Sequence, residues 1–120
     1  MRADTALLRC AAVNGALAVA LGAFGAHALR GHLEAANLIS TWETATQYHL
    51  LHAAAVLAAA LAGRAYRLSA VLWLVGIALF SGSLYLMAAF GWRWMGPVTP
   101  VGGLVLIVAW LSLFKKAVSR

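Results

Sequence analysis

The sequence has few charged residues and very few acidic ones, and both features indicate the environment in which the chain folds. Only 10% of its 120 residues are charged and three are acidic, whereas 64% are hydrophobic. Soluble domains carry charge on roughly a quarter of their residues. The composition therefore argues against a water-soluble domain and favours a protein that folds in a lipid bilayer.

Reactive side chains are also scarce. Cys10 is the only cysteine, which excludes an intrachain disulfide. The apolar segments contain no aspartate, and the sequence has neither a G-x-S-x-G nor an H-E-x-x-H motif. We therefore predict no enzyme activity, no catalytic residue, no cofactor and no metal. The cations form no basic stripe, so we expect no nucleic-acid partner either.

What the sequence does contain is four long apolar segments, at 7–29, 41–62, 68–90 and 100–114. A helix that spans a bilayer needs about 20 mostly apolar residues, which the first three segments reach and the fourth approaches. We predict an all-α integral membrane protein with four transmembrane helices in a compact antiparallel bundle, forming one domain over residues 1–120. The stretch from Arg30 to Ser40 predicts a short helix at the membrane interface.

Helix-ending and helix-starting residues bound these segments. Gly63 and Gly91 fall just past an apolar run, where a helix end accepts a left-handed residue. We expect N-caps at three helix starts: Asp4 or Thr5, Ser40 with Glu43 as a capping box, and Thr99 followed by Pro100.

Lysine and arginine are unevenly distributed between the two sides of the bundle. Seven of the nine lie near the termini or in the loop at 63–67, and only Arg30 and Arg93 lie on the other side. By the positive-inside rule, both termini are expected to be cytoplasmic. The basic start and the triplet Ala26-His27-Ala28 also resemble a cleavable secretory signal. Because the apolar run is too long for one, we expect the segment to be retained as the first transmembrane helix.

Small residues recur on the predicted helix surfaces. In the first helix they form a stripe with spacings of three and four residues: Ala11, Gly15, Ala18, Gly22 and Gly25. Helices in lipid associate by close backbone approach and hydrogen bonds rather than by hydrophobic burial. We therefore expect helix packing at this stripe, at Gly82 in the third helix, and at Gly102 and Gly103 in the fourth.

Polar side chains inside the predicted spans are costly in lipid and form a candidate site. This candidate intramembrane site comprises His27, Glu43, Tyr48, His49, His52, Ser81 and Tyr85. Depth matching of antiparallel helices places His27 near Glu43, His49 near Gly22, and Ser81 and Tyr85 near His52 and His49. His49 and His52, with His27 or His32, have a spacing that metal ligands also use, but the pattern is too weak to assign a metal.

Four motifs in order along the chain resemble the domain of unknown function 423 family: LGAFGAHAL at 21–29, W-x-x-A-x-x-Y-x-x-x-H at 42–52, LFSGSLY at 79–85 and TPVGG at 99–103. The resemblance implies a small four-helix protein of bacterial inner membranes, with eukaryotic relatives named transmembrane protein 256, and it supplies no established activity. His27 and His52 match histidines of the family pattern. The position of His49 is usually glutamine there, which argues against a metal site common to the family.

Two classes of function remain open. The first is a non-enzymatic membrane protein, either a homo-oligomer or a subunit bound to another membrane protein, whose remaining contacts are with lipids. The second is a conduit or sensor for protons, a metal ion or a small solute that uses the intramembrane histidines. We favour the first hypothesis, because the small-residue surfaces and polar groups are explained by helix packing.

Overall fold

The structure is a computed structural model that describes residues 2–119. Within that range the helices are α1 (Thr5–Ala26), α2 (Arg30–Ala35), α3 (Ile39–Ala62), α4 (Arg67–Phe90) and α5 (Val98–Val118), with single 3₁₀ turns at Arg64–Tyr66 and Arg93–Met95. Four of these helices are long and apolar enough to cross a membrane. The fifth, α2, is the short helix expected in the first loop. The predicted four-span all-α fold is confirmed.

The four long helices pack in a row: α1 lies on α3, α3 on α4, and α4 on α5. The molecule is correspondingly flat, with extents of 51 × 26 × 17 Å. Because α1 and α5 each have one principal long neighbour, much of their apolar surface faces outward; Val13 is 69% exposed and Leu111 is 60% exposed. In a bilayer this surface contacts lipid chains, which are as apolar as the side chains themselves.

Glycines end two of the helices as predicted. Gly91 ends α4 in the left-handed region at φ +70°, and Gly63 ends α3 at φ +116°. The first helix ends earlier than predicted, at Ala26, and His27 is its C-cap. The backbone N–H of Leu29 bonds to the carbonyl of Phe24, so the chain has already left the helical path at the predicted end.

The predicted N-caps are correct only at the first helix. The carboxylate of Asp4 accepts the backbone N–H of Leu7, as expected. The capping box of Ser40 and Glu43 is wrong, because α3 begins at Ile39 and Ser40 already lies inside the helix.

The predicted cap at Thr99 is also wrong. Helix α5 begins at Val98, and its N-cap position is Pro97. The hydroxyl of Thr99 lies 2.5 Å from that of Ser83 on α4 and joins two helices instead. The physical reason is that hydroxyl side chains in lipid form hydrogen bonds between helices, and Thr99 makes such a contact in place of the cap.

Part of the small-residue stripe of α1 packs within the chain, but the contact expected at Gly15 is absent, because an added Cβ there has no neighbour within 4 Å. Ala11, Ala18 and Gly25 are buried, and α1 lies against α3. A side chain at Gly25 would overlap the indole of Trp42, which instead donates its Nε1–H to the carbonyl of Leu21 at 2.9 Å. The stripe therefore lets an aromatic side chain of α3 reach the backbone of α1.

The crossing of α4 and α5 is closer still. A Cβ at Gly102 would lie 2.7 Å from the carbonyl carbon of Leu79 and would overlap the backbone nitrogen of Phe80. Gly103 lies against the Phe80 ring, and Gly76, which the sequence analysis did not single out, makes room for Leu106. Backbone cannot move aside as a side chain can, so this crossing requires glycine at Gly102.

Asp4 joins the start of α1 to α3 and α4. Its backbone N–H donates to the carbonyl of Ala60 at 2.8 Å. The Nε and Nη2 atoms of Arg67 donate to its two carboxylate oxygens at 2.8 and 2.9 Å. These hydrogen bonds from the Arg67 guanidinium hold the pKa of Asp4 below its ordinary value of 3.8, against the opposing effect of burial.

Replacing Gly102 with alanine is expected to destabilise the fold by about 1–3 kcal/mol, because the new methyl group overlaps the α4 backbone. Gly15→Ala is the matched control: an added Cβ has no neighbour within 4 Å there, and alanine favours the helix. Thermal unfolding in detergent measures both variants. Equal melting temperatures would contradict the close crossing.

Asp4→Asn keeps an oxygen that caps α1 but removes the charge that pairs with Arg67, so the variant is expected to melt at a lower temperature at about pH 7. Because the folded pKa of Asp4 lies below 3.8, its stabilising effect is present above that pH and is lost as the pH falls through the folded value. The melting temperatures of the two proteins are therefore expected to converge in acid. A constant difference at every pH would count against the ion pair.

Candidate intramembrane polar site

The residues predicted to form one polar site divide into two groups. His49, His52 and Ser81 are buried among the long helices, and Tyr85 is partly buried beside them. His27 is exposed at the C-terminal end of α1, and Glu43 is exposed near the start of α3. Among residues 2–119, no hydrogen bond or ion pair joins them. A contact between His27 and Glu43, which their similar predicted depth would allow, is therefore absent.

The centre of the buried group is a chain of three side chains from three helices. His49 on α3 lies 2.7 Å from Asn14 on α1, between Nε2 and Oδ1, and 2.9 Å from Tyr85 on α4, between Nδ1 and the hydroxyl. An amide oxygen only accepts, so Nε2–H donates to Asn14 and Nδ1 accepts the Tyr85 O–H. The imidazole is thereby held in one neutral tautomer.

The partner of His49 differs from the predicted one. Depth matching placed His49 beside Gly22, but the nearest side chain to a Cβ at Gly22 is Thr46, and His49 meets Asn14 two turns away. The error arises because the α2 connection shortens α1 and shifts its register against α3. The predicted level of Tyr85 beside His49 agrees with the structure.

Asn14 is the functional residue that the sequence reasoning missed. It is an amide in the middle of an otherwise apolar stretch of α1, in line with Ala11 and Ala18 on the face that packs against α3. Asn14 lies about 14 Å along α1 from the first residue of the helix, which places it close to the middle of the bilayer. A polar side chain at that depth is costly, and that cost was the available signal.

His52 makes a separate pair of contacts one turn further along α3. Its Nδ1–H donates to the carbonyl of Tyr48 at 2.8 Å, and its Nε2 accepts the Nε1–H of Trp110 at 3.1 Å. Carbonyls only accept and indoles only donate, so this histidine is also neutral, with both nitrogens occupied. Neither nitrogen has a lone pair free for a metal ion.

The remaining predicted polar residues serve helix contacts. Ser81 donates to the carbonyl of Ala45 at 2.8 Å and joins α4 to α3, rather than meeting His52. Tyr48 is 41% exposed and packs its ring against Phe80, with ring centroids 4.7 Å apart. Gly82, expected at a helix crossing, has no neighbour within 4 Å of an added Cβ and instead lines a cavity beside Tyr85.

No three histidine, cysteine, aspartate or glutamate side chains come together as a metal site in the part of the chain that the structure describes. His32, the fourth histidine, lies with its Nε2 3.3 Å from the carbonyl of Ala88. The polar groups of the site are thus arranged for hydrogen bonds between neutral groups on neighbouring helices.

Comparison with known proteins identifies the family. Residues 21–103 match the family described as "Protein of unknown function (DUF423)". The chain belongs to the DUF423 family. This confirms the resemblance seen in the sequence motifs, and the family description carries no activity.

Relatives of this DUF423 chain cover nearly its whole length. The UPF0382 membrane protein YwdK of Bacillus subtilis is 41% identical over 113 residues, covering 89% of this chain and 91% of its own. The UPF0382 membrane protein SSP2132 of Staphylococcus saprophyticus is 42% identical, covering 85% and 88%. The UPF0382 membrane protein C1782.12c of Schizosaccharomyces pombe is 35% identical, covering 86% and 93%. No solved structure matches the chain. The DUF423 chain is therefore a multi-pass membrane protein.

Tyr85→Phe removes the O–H that His49 accepts and keeps the ring that packs against Trp42. We expect a loss of about 0.6 kcal/mol, and no more than about 1.7, as is usual for hydrogen bonds between membrane helices. In a His49→Leu background the same change is expected to cost less, and the four unfolding free energies give the coupling.

Tyr48→Phe is the control for this cycle, because the Tyr48 hydroxyl makes no hydrogen bond within residues 2–119. It is expected to leave stability unchanged in both backgrounds. A coupling of zero between Tyr85 and His49 would show that their hydrogen bond contributes nothing.

Proposed function

We propose that this DUF423 protein is a non-enzymatic membrane subunit that assembles with a second copy of itself through the exposed side of α3 and α5. The observation that supports this proposal is an apolar groove between these two helices, of about 310 Å³, which we call the alanine groove. It is lined by Ala55, Ala58, Ala59, Ala62, Tyr66, Trp73, Trp110 and Leu113.

The alanine groove has the spacing that membrane helices use to approach one another. Ala55 and Ala62 each lie three or four residues from Ala58 and from Ala59, so the four alanines share one face of α3. Small residues at this spacing let a second backbone come close, which is the main source of helix association in lipid. Within the chain, the comparable stripe of α1 is covered by α3, whereas Ala58 remains exposed.

A second copy is the occupant that this surface fits best. Two copies related by a twofold axis place the same groove on both sides of the interface, so one self-complementary surface is sufficient. The walls, Trp110 and Leu113, supply large apolar side chains beside the small floor. Seven of the nine lysines and arginines lie near the chain termini or in the loop at 63–67, and by the positive-inside rule we expect that side to face the cytoplasm of a bacterial inner membrane.

The conduit hypothesis receives less support from the geometry. A proton relay needs imidazole nitrogens that exchange partners, and a metal path needs free lone pairs. Both nitrogens of His49 and of His52 are engaged in hydrogen bonds with protein groups. These side chains are better explained as hydrogen-bonding groups that hold neighbouring helices together.

The test is native mass spectrometry of the protein released from lipid nanodiscs. The unmodified protein is expected to be a dimer, and Ala58→Leu, which fills the alanine groove, is expected to shift it to monomer. Ala20→Leu is the matched control, because Ala20 is also exposed but lines none of the grooves described here. A monomeric unmodified protein at all concentrations, or equal dimer fractions in both variants, would overturn the proposal.

A further inference from the structure

A second groove lies on the opposite face of the row, between α1 and α4. Both helices pack against α3, and they run in the same direction with α3 forming the floor between them. One cavity, of about 200 Å³, contains the chain Asn14–His49–Tyr85. A second, of about 390 Å³, continues from Asn14 and Leu74 toward Arg9. We call the two together the polar-floored groove.

The floor of this groove carries more hydrogen-bond donors than the protein uses. An asparagine amide, a neutral imidazole and a phenol have four N–H and O–H donors in total. The two hydrogen bonds within the chain of three use two of these donors. With the protons placed as above, both N–H groups of the Asn14 Nδ2 atom have no acceptor among the described residues. Exchanging the amide's oxygen and nitrogen also leaves two donors unused, one on Asn14 and one on Tyr85.

Unused donors at this depth favour a ligand with matching acceptors. Water is scarce near mid-bilayer, and a lipid chain offers no acceptor. The headgroups of phospholipids lie at the interface, far from Asn14, so a bilayer phospholipid does not place its carbonyl oxygens here. The fitting ligand is uncharged, carries carbonyl oxygens at one end, and resides within the hydrocarbon region.

The size and shape of the groove further restrict the class of ligand that it can bind. The cavity beside Asn14 and Tyr85 is of the size that holds a substituted six-membered ring, since a cavity of about 150 Å³ holds benzene. The adjoining cavity is lined by apolar side chains, including Val13, Leu17 and Leu74. Between Leu21 and Arg9 the groove extends along α1 for about 18 Å, enough for a flexible tail.

We propose that the polar-floored groove binds a lipid-soluble quinone, a flat ring with two carbonyl acceptors and a long apolar tail. The ring lies beside Tyr85 and His49, and one carbonyl oxygen accepts hydrogen bonds from Asn14. The tail follows Leu17 and Leu74 toward Arg9, at the N-terminal end of α1. The proposal concerns binding alone and does not depend on the self-assembly proposed above, which uses the other face of α3.

The first test uses the unmodified protein in nanodiscs and isothermal titration calorimetry with a decyl-substituted 1,4-benzoquinone. The comparison ligand is the corresponding decyl-substituted 1,4-dimethoxybenzene, which keeps ring and tail but replaces the carbonyl acceptors. The quinone is expected to bind about three- to tenfold more tightly, the usual worth of one hydrogen bond. Equal affinities, no saturable binding, or displacement of the quinone by added phospholipid would overturn the proposal.

Two variants locate the site. Asn14→Leu is expected to bring quinone affinity down to that of the dimethoxy compound. Cys10→Phe, whose position is exposed and outside the hydrogen-bonded chain, blocks the tail end and is expected to weaken both ligands. Ala12→Phe is the control at the same depth on another face of α1. If Cys10→Phe binds quinone as the control does, the groove is not the site.

The same variants separate a quinone from a helix of a second copy. A partner helix in this groove predicts that Cys10→Phe lowers the dimer fraction in native mass spectrometry and that quinone does not bind, which would assign the groove to assembly instead. Ala58→Leu, on the other face, is expected to retain quinone binding. The two proposals therefore fail by different measurements.

Discussion

The hydrogen bonds that α3 makes with the other three spans are the interactions on which the rest of the structure depends. Lipid offers no hydrophobic drive between helices, so polar contacts and close backbone approach decide which helices meet. Helix α3 reaches α1 through Trp42 and His49, α4 through Ser81 and Tyr85, and α5 through His52. The places of α1 and α4 on either side of α3 follow from these contacts, because each neighbour of α3 must supply a particular donor or acceptor at a particular depth.

Glycine and alanine make those contacts geometrically possible. The indole of Trp42 reaches a backbone carbonyl of α1 only because Gly25 has no side chain. The α4 and α5 backbones approach at Gly102, and the hydroxyls of Ser83 and Thr99 meet in the same crossing. Small residues and polar residues therefore act together: the first allow the approach and the second fix its register. Neither type alone would specify one arrangement.

The sequence predicted the number of spans, their approximate limits and the packing face of α1, because hydropathy and small-residue spacing are properties of single helices. The sequence did not predict the partner of His49.

That pairing depends on the axial shift between α1 and α3, which the α2 connection sets. An error of one or two helical turns in this shift exchanges Gly22 for Asn14 as the residue beside His49. The caps at Ser40 and Thr99 failed for a related reason: tertiary contacts of neighbouring residues decided where each helix begins. Local patterns were reliable where one helix decides the outcome and unreliable where two helices share it.

A row of helices, unlike a square bundle, has two faces, and α3 gives them different chemistry. His49 opens on the face between α1 and α4, whereas Ala58 lies nine residues later, on the opposite side of the helix. The first face has surplus donors and a cavity of small volume, which suit a small flexible molecule with acceptors. The second has a lining of small and large apolar side chains, which suits another helix. His52 lies between them with both nitrogens bonded to protein groups. Both α3 and α4 line the two grooves, so a change on one face reaches the other by moving one of these helices. The hydrogen bonds that α3 makes to all three other spans oppose its movement.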